Sequence, residues 1–501
     1  MTEHLLTFSG VSFSYDSSWD FLIDNFTGSF GKGWTGIVGP NGAGKTTLLL
    51  LACGILSPVK GIISHPQDCY YCHQRTDDPP DGLTDFLSSY ESDASVLKSI
   101  LGIDDGYADK WRVLSHGERK RSQLGVALWK APEMFALDEP TNHIDSDTKS
   151  MIRDALSRYS GIGLLVSHDR ELLDELCANT VYLEPPDLYM KPGGYTKAYA
   201  QIEQERKAAE KKQVHAKKEI VKLKKELHKR RMKAEAAEKA KSKKGLTAND
   251  SDAREKIDRG RVTGKDGKIS RQSKSIDSRL SRTQEKSAAI RVKKNHTTGI
   301  VFDGVKLKRD MIYKTTGGSI ELSMGRLLIY PALEISPASR IAVIGPNGSG
   351  KSTLINKIVN ELSLAADDYI YVPQEYSMIE ASSLIDQVRK LGHDCLGNLM
   401  TIVSRLNSRP ERLIESPTPS PGEARKLLLA LGLLKNPSLI IMDEPTNHLD
   451  IVSIQCIEQA LSSCDAALLL VSHDKRFLKT LTHSTWRFIT NQETLNSTVI
   501  V

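Results

Sequence analysis

The chain has 501 residues, of which 39% are apolar and 26% charged, so it can supply two to four globular domains. It has no apolar run near the roughly 18 residues that a membrane span needs. The amino-terminal residues do not look like a secretory signal, and seven scattered cysteines favour a reducing compartment. These features exclude membrane-spanning and disulfide-rich classes and predict a cytoplasmic protein.

The net charge of +6 hides an uneven distribution. Residues 197–295 hold 32 Lys and Arg against 14 Asp and Glu, a net charge of +18. The remainder holds 36 basic and 48 acidic residues, a net charge of −12. A basic segment between acidic ones is typical of a partner that is nucleic acid or another anionic surface.

Three separated motifs occur twice, at a nearly constant offset of 305 or 306 residues. The pairs are Gly39–Thr47 with Gly345–Thr353, Leu137–His143 with Met442–His448, and Val166–Asp169 with Val471–Asp474. Because chance matches would not keep register, the pattern indicates a tandem duplication. We expect a first copy over residues 1–194, an insert over 195–298 and a second copy over 299–501.

The insert is unlike either copy. Residues 195–244 lack glycine and are dense in Glu, Lys and Ala, which are helix formers. Apolar residues recur at helical spacing on both sides of a polar, glycine-containing stretch at 245–267; they are Ile220, Leu223, Leu227, Ile269, Ile276, Leu280 and Ile290. We predict a long antiparallel helical hairpin with a basic tip, and the alternative is a solvated charged linker.

The first repeated motif is the P-loop pattern Gly-x-x-x-x-Gly-Lys-Ser/Thr. A strand over 34–38 and a helix over 46–53 should flank it, so that backbone N–H groups surround a phosphate. Lys45 and Lys351 should contact the β- and γ-phosphates of ATP, and Thr46 and Ser352 should ligate Mg²⁺. The nucleotide-binding candidates are Gly39, Asn41, Gly42, Gly44, Lys45, Thr46 and Thr47, and Gly345, Asn347, Gly348, Gly350, Lys351, Ser352 and Thr353. The alternative is a glycine-rich turn with an incidental lysine.

The second motif is an apolar run that ends in two acids, which is the Walker B arrangement. Asp138 and Asp443 would hold Mg²⁺, and Glu139 and Glu444 would polarise the attacking water. A strand followed by an acidic turn is the alternative. It is disfavoured because a P-loop lies about 93 residues upstream in both copies.

Two further residue types recur near strand ends. His168 and His473 follow apolar strands, and their repetition in register favours a γ-phosphate contact over a structural role. Gln74 and Gln374 could bridge Mg²⁺ and the attacking water, although a single Gln is a weak signal.

Together these residues resemble the ATP-binding cassette superfamily, over about 400 of the 501 residues. Its signature is matched by Leu-Ser-His-Gly-Glu at 114–118 and Ser-Pro-Gly-Glu at 420–423. The resemblance implies an α/β fold in which two P-loop ATPase domains close head to tail. Ser420 and Gly422 would then complete the ATP site of Lys45. Ser115 and Gly117 would complete that of Lys351, so a monomer suffices.

Both signatures depart from the family pattern. His116 replaces a glycine but keeps its N–H, whereas Pro421 has no N–H to donate to a γ-phosphate. We therefore expect slower hydrolysis at the site that contains Lys45.

A few aromatic and sulfur-containing residues are candidates for stacking on adenine or for binding a haem or a metal, and each has an alternative interpretation. Tyr15 stands where the superfamily often stacks adenine, and a core aromatic is the alternative. The second copy has no clean counterpart, because Tyr330 lies too near Gly345, and Met324 is the candidate for that place. Cys69-Tyr-Tyr-Cys72-His73 matches haem-attachment and redox spacings but lacks their contexts, so it is better interpreted as a strand.

Two cassettes joined by a basic hairpin resemble the ABC-F branch, whose members are ATPases acting on ribosomes. That branch implies binding at the exit-tRNA site, with the hairpin directed at the peptidyl-transferase centre and peptidyl-tRNA. The tip candidates Arg254, Lys256, Arg259, Arg261, Lys265, Lys268 and Arg271 have no aromatic residue between them, which predicts contacts to RNA phosphates.

The lengths of two segments indicate which subgroup of the ABC-F branch the chain resembles. The 41-residue interval from Gln74 to Ser115 leaves little room for the arm of the housekeeping members. Only 28 residues follow His473, so we expect no carboxy-terminal extension. A long hairpin without an arm resembles the members that protect ribosomes from peptidyl-transferase antibiotics. The alternatives are a housekeeping translation factor acting on stalled peptidyl-tRNA and the ATPase subunit of a membrane transporter.

Overall fold

The computed structural model describes residues 5–16, 20–142, 144–240, 265–289, 310–374, 378–408, 420–491 and 494–501. The chain divides into two compact units. One comprises residues 1–198 and 296–501, and therefore both copies, and the other comprises residues 199–295. No helix among the described residues is long and apolar enough to cross a bilayer.

The first copy has nine strands and six helices in its described residues. The strands are β1 (Leu6–Phe13), β2 (Ile23–Phe30), β3 (Gly33–Val38), β4 (Lys60–Ser64), β5 (Cys69–Cys72), β6 (Met134–Asp138), β7 (Ile162–Val166), β8 (Cys177–Glu184) and β9 (Asp187–Pro192). The helices are α1 (Lys45–Ala52), α2 (Leu83–Ser88), α3 (Ser92–Leu101), α4 (His116–Trp129), α5 (Ser146–Leu156) and α6 (Arg170–Leu176).

A six-stranded sheet organises this copy, in the order β5-β6-β7-β3-β8-β9. The strands from β5 to β8 in that order are parallel, and β9 is antiparallel to β8. A separate antiparallel sheet, β2-β1-β4, packs Phe8 and Val11 into the same apolar core as Leu48 of α1. Since β6 and β7 are fully buried, they are almost continuously apolar, as the central strands of a parallel sheet should be.

The second copy repeats this plan after residue 309. Its strands are β10 (Tyr313–Thr315), β11 (Gly318–Glu321), β12 (Leu327–Tyr330), β13 (Leu333–Ile335), β14 (Arg340–Ile344), β15 (Tyr369–Val372), β16 (Leu439–Asp443), β17 (Ala467–Val471), β18 (Ser484–Thr490) and β19 (Ser497–Ile500). Its helices are α9 (Lys351–Glu361), α10 (Met378–Arg389), α11 (His393–Arg405), α12 (Pro421–Leu433), α13 (Ile451–Ser462) and α14 (Lys475–Leu481).

The main sheet of the second copy has the order β11-β12-β19-β18-β14-β17-β16-β15. Its five strands from β18 to β15 are parallel and match β8 to β5 of the first copy in order. In both copies the strands that carry the repeated motifs are therefore neighbours, and their carboxyl ends meet at one edge. That edge is where ligands bind in open parallel sheets.

The second unit is a helical pair. The helices α7 (Tyr195–Ala240) and α8 (Lys265–Ala289) bury Leu223 and Leu227 against Ile276 and Leu280, with Ile220 at the margin. Glu219 pairs with Arg279, and Arg231 pairs with Asp277, both at 3.8 Å. These contacts join the two helices, so the predicted packing of two helical arms is confirmed, and their antiparallel direction stays a prediction. At 1.5 Å per residue, α7 is about 69 Å long.

Most sequence-predicted elements are confirmed, with small differences in their bounds. The stretch predicted as a loop at 245–267 is partly wrong, because α8 already begins at Lys265 and includes Gly267. Arg254, Lys256, Arg259, Arg261 and Ile290 lie outside the described residues. Helix α8 includes Lys265, Lys268, Ile269 and Arg271.

Two candidate nucleotide sites at the strand ends

The first P-loop joins the end of β3 to the start of α1. A methyl group on Gly39 would lie 2.5 Å from the carbonyl oxygen of Leu183, so only glycine fits there. Gly44 caps α1 with a φ of 93°, a left-handed conformation that favours glycine. The ammonium of Lys45 donates to the carbonyl oxygens of Gly39 (3.1 Å) and Pro40 (3.3 Å). Burial lowers the pKa of Lys45.

The second P-loop has the same construction between β14 and α9. Lys351 donates to the carbonyl oxygens of Gly345 and Pro346, both at 2.8 Å, and burial lowers its pKa. Gly350 caps α9 with a φ of 93°. Gly42 and Gly348 have φ values of 75° and 76°. Each loop thus presents a helix amino terminus and a cation, which suits an anionic phosphate.

The Walker B aspartates lie beside the P-loop hydroxyls. Thr46 Oγ1 donates to Asp138 Oδ2 at 2.7 Å, and the Tyr71 hydroxyl donates to the same oxygen at 3.2 Å. Asp443 is 1% exposed, and its carboxylate oxygens are buried beside the P-loop residue Ser352. Burial raises the pKa of Asp443, and the Ser352 side chain opposes the rise.

Carboxylate and hydroxyl oxygens are the hard ligands that Mg²⁺ prefers, usually alongside substrate phosphates and water. A buried aspartate next to a P-loop hydroxyl therefore fits that ion in both copies. In the second copy, Ser352 is the corresponding hydroxyl residue of the P-loop, and Thr353 beside it is exposed.

The Walker B glutamate and the repeated histidine of each copy lie together. Glu139 has a φ of 48° at the end of β6, which turns its side chain out of the strand. The backbone N–H of His168 donates to Glu139 Oε2 at 3.2 Å, and His168 Nε2 lies 3.2 Å from Oε1. Glu444 and His473 repeat this arrangement at 3.4 and 3.3 Å, and Glu444 has a φ of 47°.

Burial governs the titration of all four groups. It raises the pKa values of Glu139 and Glu444 to about 7, with Lys45 and Lys351 respectively opposing the rise. It lowers the pKa values of His168 and His473 to about 3, so both imidazoles are neutral at pH 7. A carboxyl whose pKa lies near neutrality can accept a proton from water, which is the task of a general base.

Each P-loop also contacts the other copy. Asn41 Nδ2 donates to the carbonyl oxygen of His448 at 2.8 Å, and the Asn41 N–H donates to Asp450 Oδ2 at 3.2 Å. In the second site the Asn347 N–H donates to Asp145 Oδ2 at 3.4 Å. The two copies therefore meet head to tail, with the loop after one Walker B strand against the P-loop of the other.

The signature serines begin helices next to these contacts. Ser115 caps α4 and Ser420 caps α12, each accepting from the backbone N–H of a glutamate three residues on. A methyl group on Gly422 would lie 2.8 Å from the His448 carbonyl oxygen, so this signature is adjacent to the residue that Asn41 contacts. Gly117 lies beside Thr148, whose N–H donates to Asp145.

The two glutamines lie at the expected edge. Gln74 and Gln374 follow β5 and β15, which pair in parallel with the Walker B strands. Sequence reasoning missed the buried cations that hold these loops. Lys120 donates to the carbonyl oxygen of His73 at 2.8 Å, and Arg425 donates to that of Gln374 at 2.6 Å.

The adenine candidate of the first copy lies beside α1. The Tyr15 hydroxyl is 2.9 Å from Thr47 Oγ1, and Tyr15 is 46% exposed, so it is not a core aromatic. Tyr330 is buried in β12 of the second copy. Met324 belongs to a short 3₁₀ turn at Ser323–Gly325.

Four other site residues were missed by sequence reasoning, although a signal existed for some. Asp145 and Asp450 end the repeated stretch that continues each Walker B motif, which is a signal in the sequence, but nothing in the sequence indicates what they contact. His448 makes its contact through the backbone carbonyl oxygen. Every residue has that atom, so the sequence could not indicate the contact. Arg170 is a lone basic residue in the sequence and becomes significant only through its partners across the interface.

The family model described as "ABC transporter" matches residues 24–142 and 331–447. These ranges contain both P-loops and both Walker B strands. The chain thus contains two ATP-binding cassette domains, and we call them the first and second cassettes.

Three relatives are similar over most of their length. The chain is 27% identical to "Ribosome protection protein VmlR" of Bacillus subtilis (strain 168), over 90% of this chain and 80% of that protein. It is 26% identical to "ATP-binding protein Uup" of Buchnera aphidicola, over 90% and 75%. It is 25% identical to "Probable ATP-binding protein YheS" of Escherichia coli (strain K12), over 92% and 75%. The names of two of them record ATP binding, and that of the third records ribosome protection.

Solved structures share the fold. One contains the archaeal ribosome recycling factor aABCE1 and matches with a TM-score of 0.59 and 16% identity, over 98% of this chain and 89% of that one. Another is that of a protein named "RNase-L Inhibitor", which matches with a TM-score of 0.54 and 16% identity, over 93% of this chain and 85% of that one. At this identity the likeness concerns the tandem cassette architecture.

Proposed function

We propose that this chain is a cytoplasmic, ribosome-binding ABC-F ATPase that hydrolyses ATP and protects the ribosome from antibiotics that target its peptidyl-transferase centre. The observation that carries the ATPase part is the contact of each P-loop with the opposite cassette, through Asn41 to His448 and Asn347 to Asp145. ATP bound at either P-loop would lie at an interface, so its binding and loss would be linked to closing and opening of the two cassettes.

The residues have distinct tasks in hydrolysis. Lys45 and Lys351 bind phosphate. Thr46 with Asp138, and Ser352 with Asp443, would hold Mg²⁺, which would neutralise phosphate charge. Glu139 or Glu444 accepts a proton from the attacking water. The water oxygen bonds to the γ-phosphorus as the bond to the bridging oxygen of ADP breaks, which leaves ADP and phosphate. His168 and His473 contact the γ-phosphate as neutral imidazoles.

The ribosomal part is supported by the insert and by one relative. The insert carries a net charge of +18, and RNA offers a dense row of phosphates to Lys and Arg. A relative that is similar over 90% of this chain is named a ribosome protection protein. We therefore propose that the hairpin contacts ribosomal RNA near the exit-tRNA site and peptidyl-tRNA, with the chain acting as a monomer.

Sedimentation tests ribosome binding. The double variant Glu139→Gln/Glu444→Gln retains ATP, because the amide cannot accept the proton from water, and it should stay closed and co-sediment with ribosomes. The control Lys45→Ala/Lys351→Ala loses the phosphate cations and should remain in the supernatant. Equal pelleting of both variants, or pelleting of neither, would contradict the proposal.

A second role is compatible with the same site and hairpin, because two relatives that match at 25–26% identity are named only as ATP-binding proteins and not as ribosome protection proteins. In this role the protein is a translation factor that acts on stalled peptidyl-tRNA. Expression in a drug-sensitive host, tested against a panel of peptidyl-transferase inhibitors, separates the two roles. Protection predicts a raised inhibitory concentration for at least one drug, whereas the translation-factor role predicts none.

A further inference from the structure

Arg170 is a buried cation that the hydrolysis mechanism does not use. It is the first residue of α6, two positions after His168, and its side chain is 2% exposed. Its guanidinium donates to both carboxylate oxygens of Glu458 in the second cassette, at 3.0 and 2.6 Å. It also donates to Asp474 Oδ2, again in the second cassette, at 3.2 Å. Paired donation of this kind fixes direction as well as distance.

The two carboxylates belong to elements of different nucleotide sites. Glu458 lies on α13, whose cap Asp450 accepts from the Asn41 N–H and thus touches the P-loop of the first site. Asp474 directly follows His473 of the second site and caps α14 through the N–H of Phe477 at 2.9 Å. One guanidinium therefore joins the histidine loops of both sites and the helix that contacts the first P-loop.

This contact exists on one side of the interface. With the 305-residue offset, Lys475 occupies the place of Arg170, and Arg153 occupies the place of Glu458. Lys475 is exposed. Arg153 pairs with Asp154 at 2.9 Å and Glu175 at 3.2 Å, both in its own cassette. Two cations at the matching positions cannot form the ion pair that Arg170 forms with Glu458.

We propose that Arg170 is a positioning residue that couples ATP binding at the two sites, through this one-sided contact. ATP at the first site orders the Asn41–Asp450 contact and hence α13. Because Arg170 holds α13 through Glu458 and the second histidine loop through Asp474, ordering of α13 favours the closed arrangement at the second site. By linkage the coupling is reciprocal. The inference rests on the proposed function, since it requires ATP at both sites.

Equilibrium dialysis with labelled ATP and Mg²⁺ measures this coupling directly. The parent is the Glu139→Gln/Glu444→Gln protein, in which both stepwise ATP-binding constants can be determined without hydrolysis. The ratio of these two binding constants, corrected for the statistical factor of filling two sites, is the coupling factor. For linked sites this factor is about 5 to 150. Arg170→Gln should lower that factor at least about fivefold. Lys475→Gln, the same change at the matching position, should leave it unchanged.

Further variants separate positioning from folding. Arg170→Gln leaves Glu458 and Asp474 without their cation, so Glu458→Gln and the double variant Arg170→Gln/Glu458→Gln are measured beside it, with melting curves. Glu458→Gln and the double variant should both lose the coupling. The double variant has a neutral Gln–Gln pair in place of the ion pair, and we expect that pair not to restore it. Coupling that survives in Arg170→Gln, returns in the double variant or is lost equally in Lys475→Gln overturns the proposal.

ATP binding by the parent protein separates a failure of the coupling from a failure of the proposed function. A parent that binds two ATP molecules independently overturns the coupling and leaves the proposed function standing. A parent that binds no ATP overturns both.

Discussion

The side-chain amide of Asn41 donates a 2.8 Å hydrogen bond to the carbonyl oxygen of His448, a residue 407 positions further along the chain. The bond joins the first P-loop to the second cassette, next to the signature residue Gly422. Each candidate ATP site is therefore formed by both cassettes, because each P-loop contacts the opposite cassette as well as its own.

Removing this bond should weaken catalysis at the first site. Asn41→Ala also removes the bond that Lys45 donates to Asn41 Oδ1 at 3.4 Å. A single hydrogen bond contributes about 0.5–1.5 kcal/mol, so the variant should lower kcat/KM for ATP by roughly 2- to 12-fold for each of the two bonds. Steady-state phosphate release measures the effect. Asn356→Ala is the control, since Asn356 bonds to Tyr371 within its own cassette. A loss that is equal in the two variants would contradict a role for the interface contact.

The two sites should differ in turnover, because Pro421 begins α12 without an N–H to donate. That signature serves the site that contains Lys45, so the site of Lys351 should carry most of the hydrolysis. Loss of a general base slows its own site by about 10²–10⁴-fold. We expect Glu444→Gln to remove more than half of total turnover and Glu139→Gln to remove less than half. The reverse order, measured as phosphate release, would refute the expectation.

The small core of the helical pair can be tested without touching the cassettes. Leu223 is 3% exposed and packs with Leu280, so Leu223→Ala should destabilise the pair by about 2–5 kcal/mol. Amide hydrogen exchange should become faster over α7 and α8, while exchange in the cassettes stays the same. Val221→Ala is the matched control, because Val221 is 53% exposed on the same helix. Similar exchange in both variants would argue against a packed pair.

Charge at the tip should govern ribosome affinity and its dependence on salt. Neutralising Lys265, Lys268 and Arg271 to Gln should weaken pelleting with ribosomes and reduce the slope of log affinity against log salt by about 2 to 3. ATPase activity of the free protein should persist. The triple variant Lys390→Gln/Lys475→Gln/Lys479→Gln removes three exposed charges from the second cassette and serves as the control. Unchanged pelleting of the tip variant across the salt series would exclude these contacts.

Much of each site could be predicted from the sequence because its determinants are local. A P-loop needs a strand, closely placed glycines and a helix start, and all three lie within about twenty residues. The Walker B acids follow directly from a buried strand. The contacts of Asn41 and Arg170 could not be predicted, since their partners lie 288 to 409 positions away and depend on how the cassettes meet. The exposure of Tyr15 likewise depends on the packing of β1 and α1.

The one-sided contact of Arg170 has a consequence for how the protein could have arisen. In a symmetric homodimer every substitution occurs in both halves, so an arginine on one face always has an identical arginine on the other. Joining the two halves in one gene removes that constraint. Each half can then change alone, and Arg170 and Lys475 record such a divergence. Carrying both halves on one chain therefore does more than hold them together, because it permits two equivalent faces to differ in sequence.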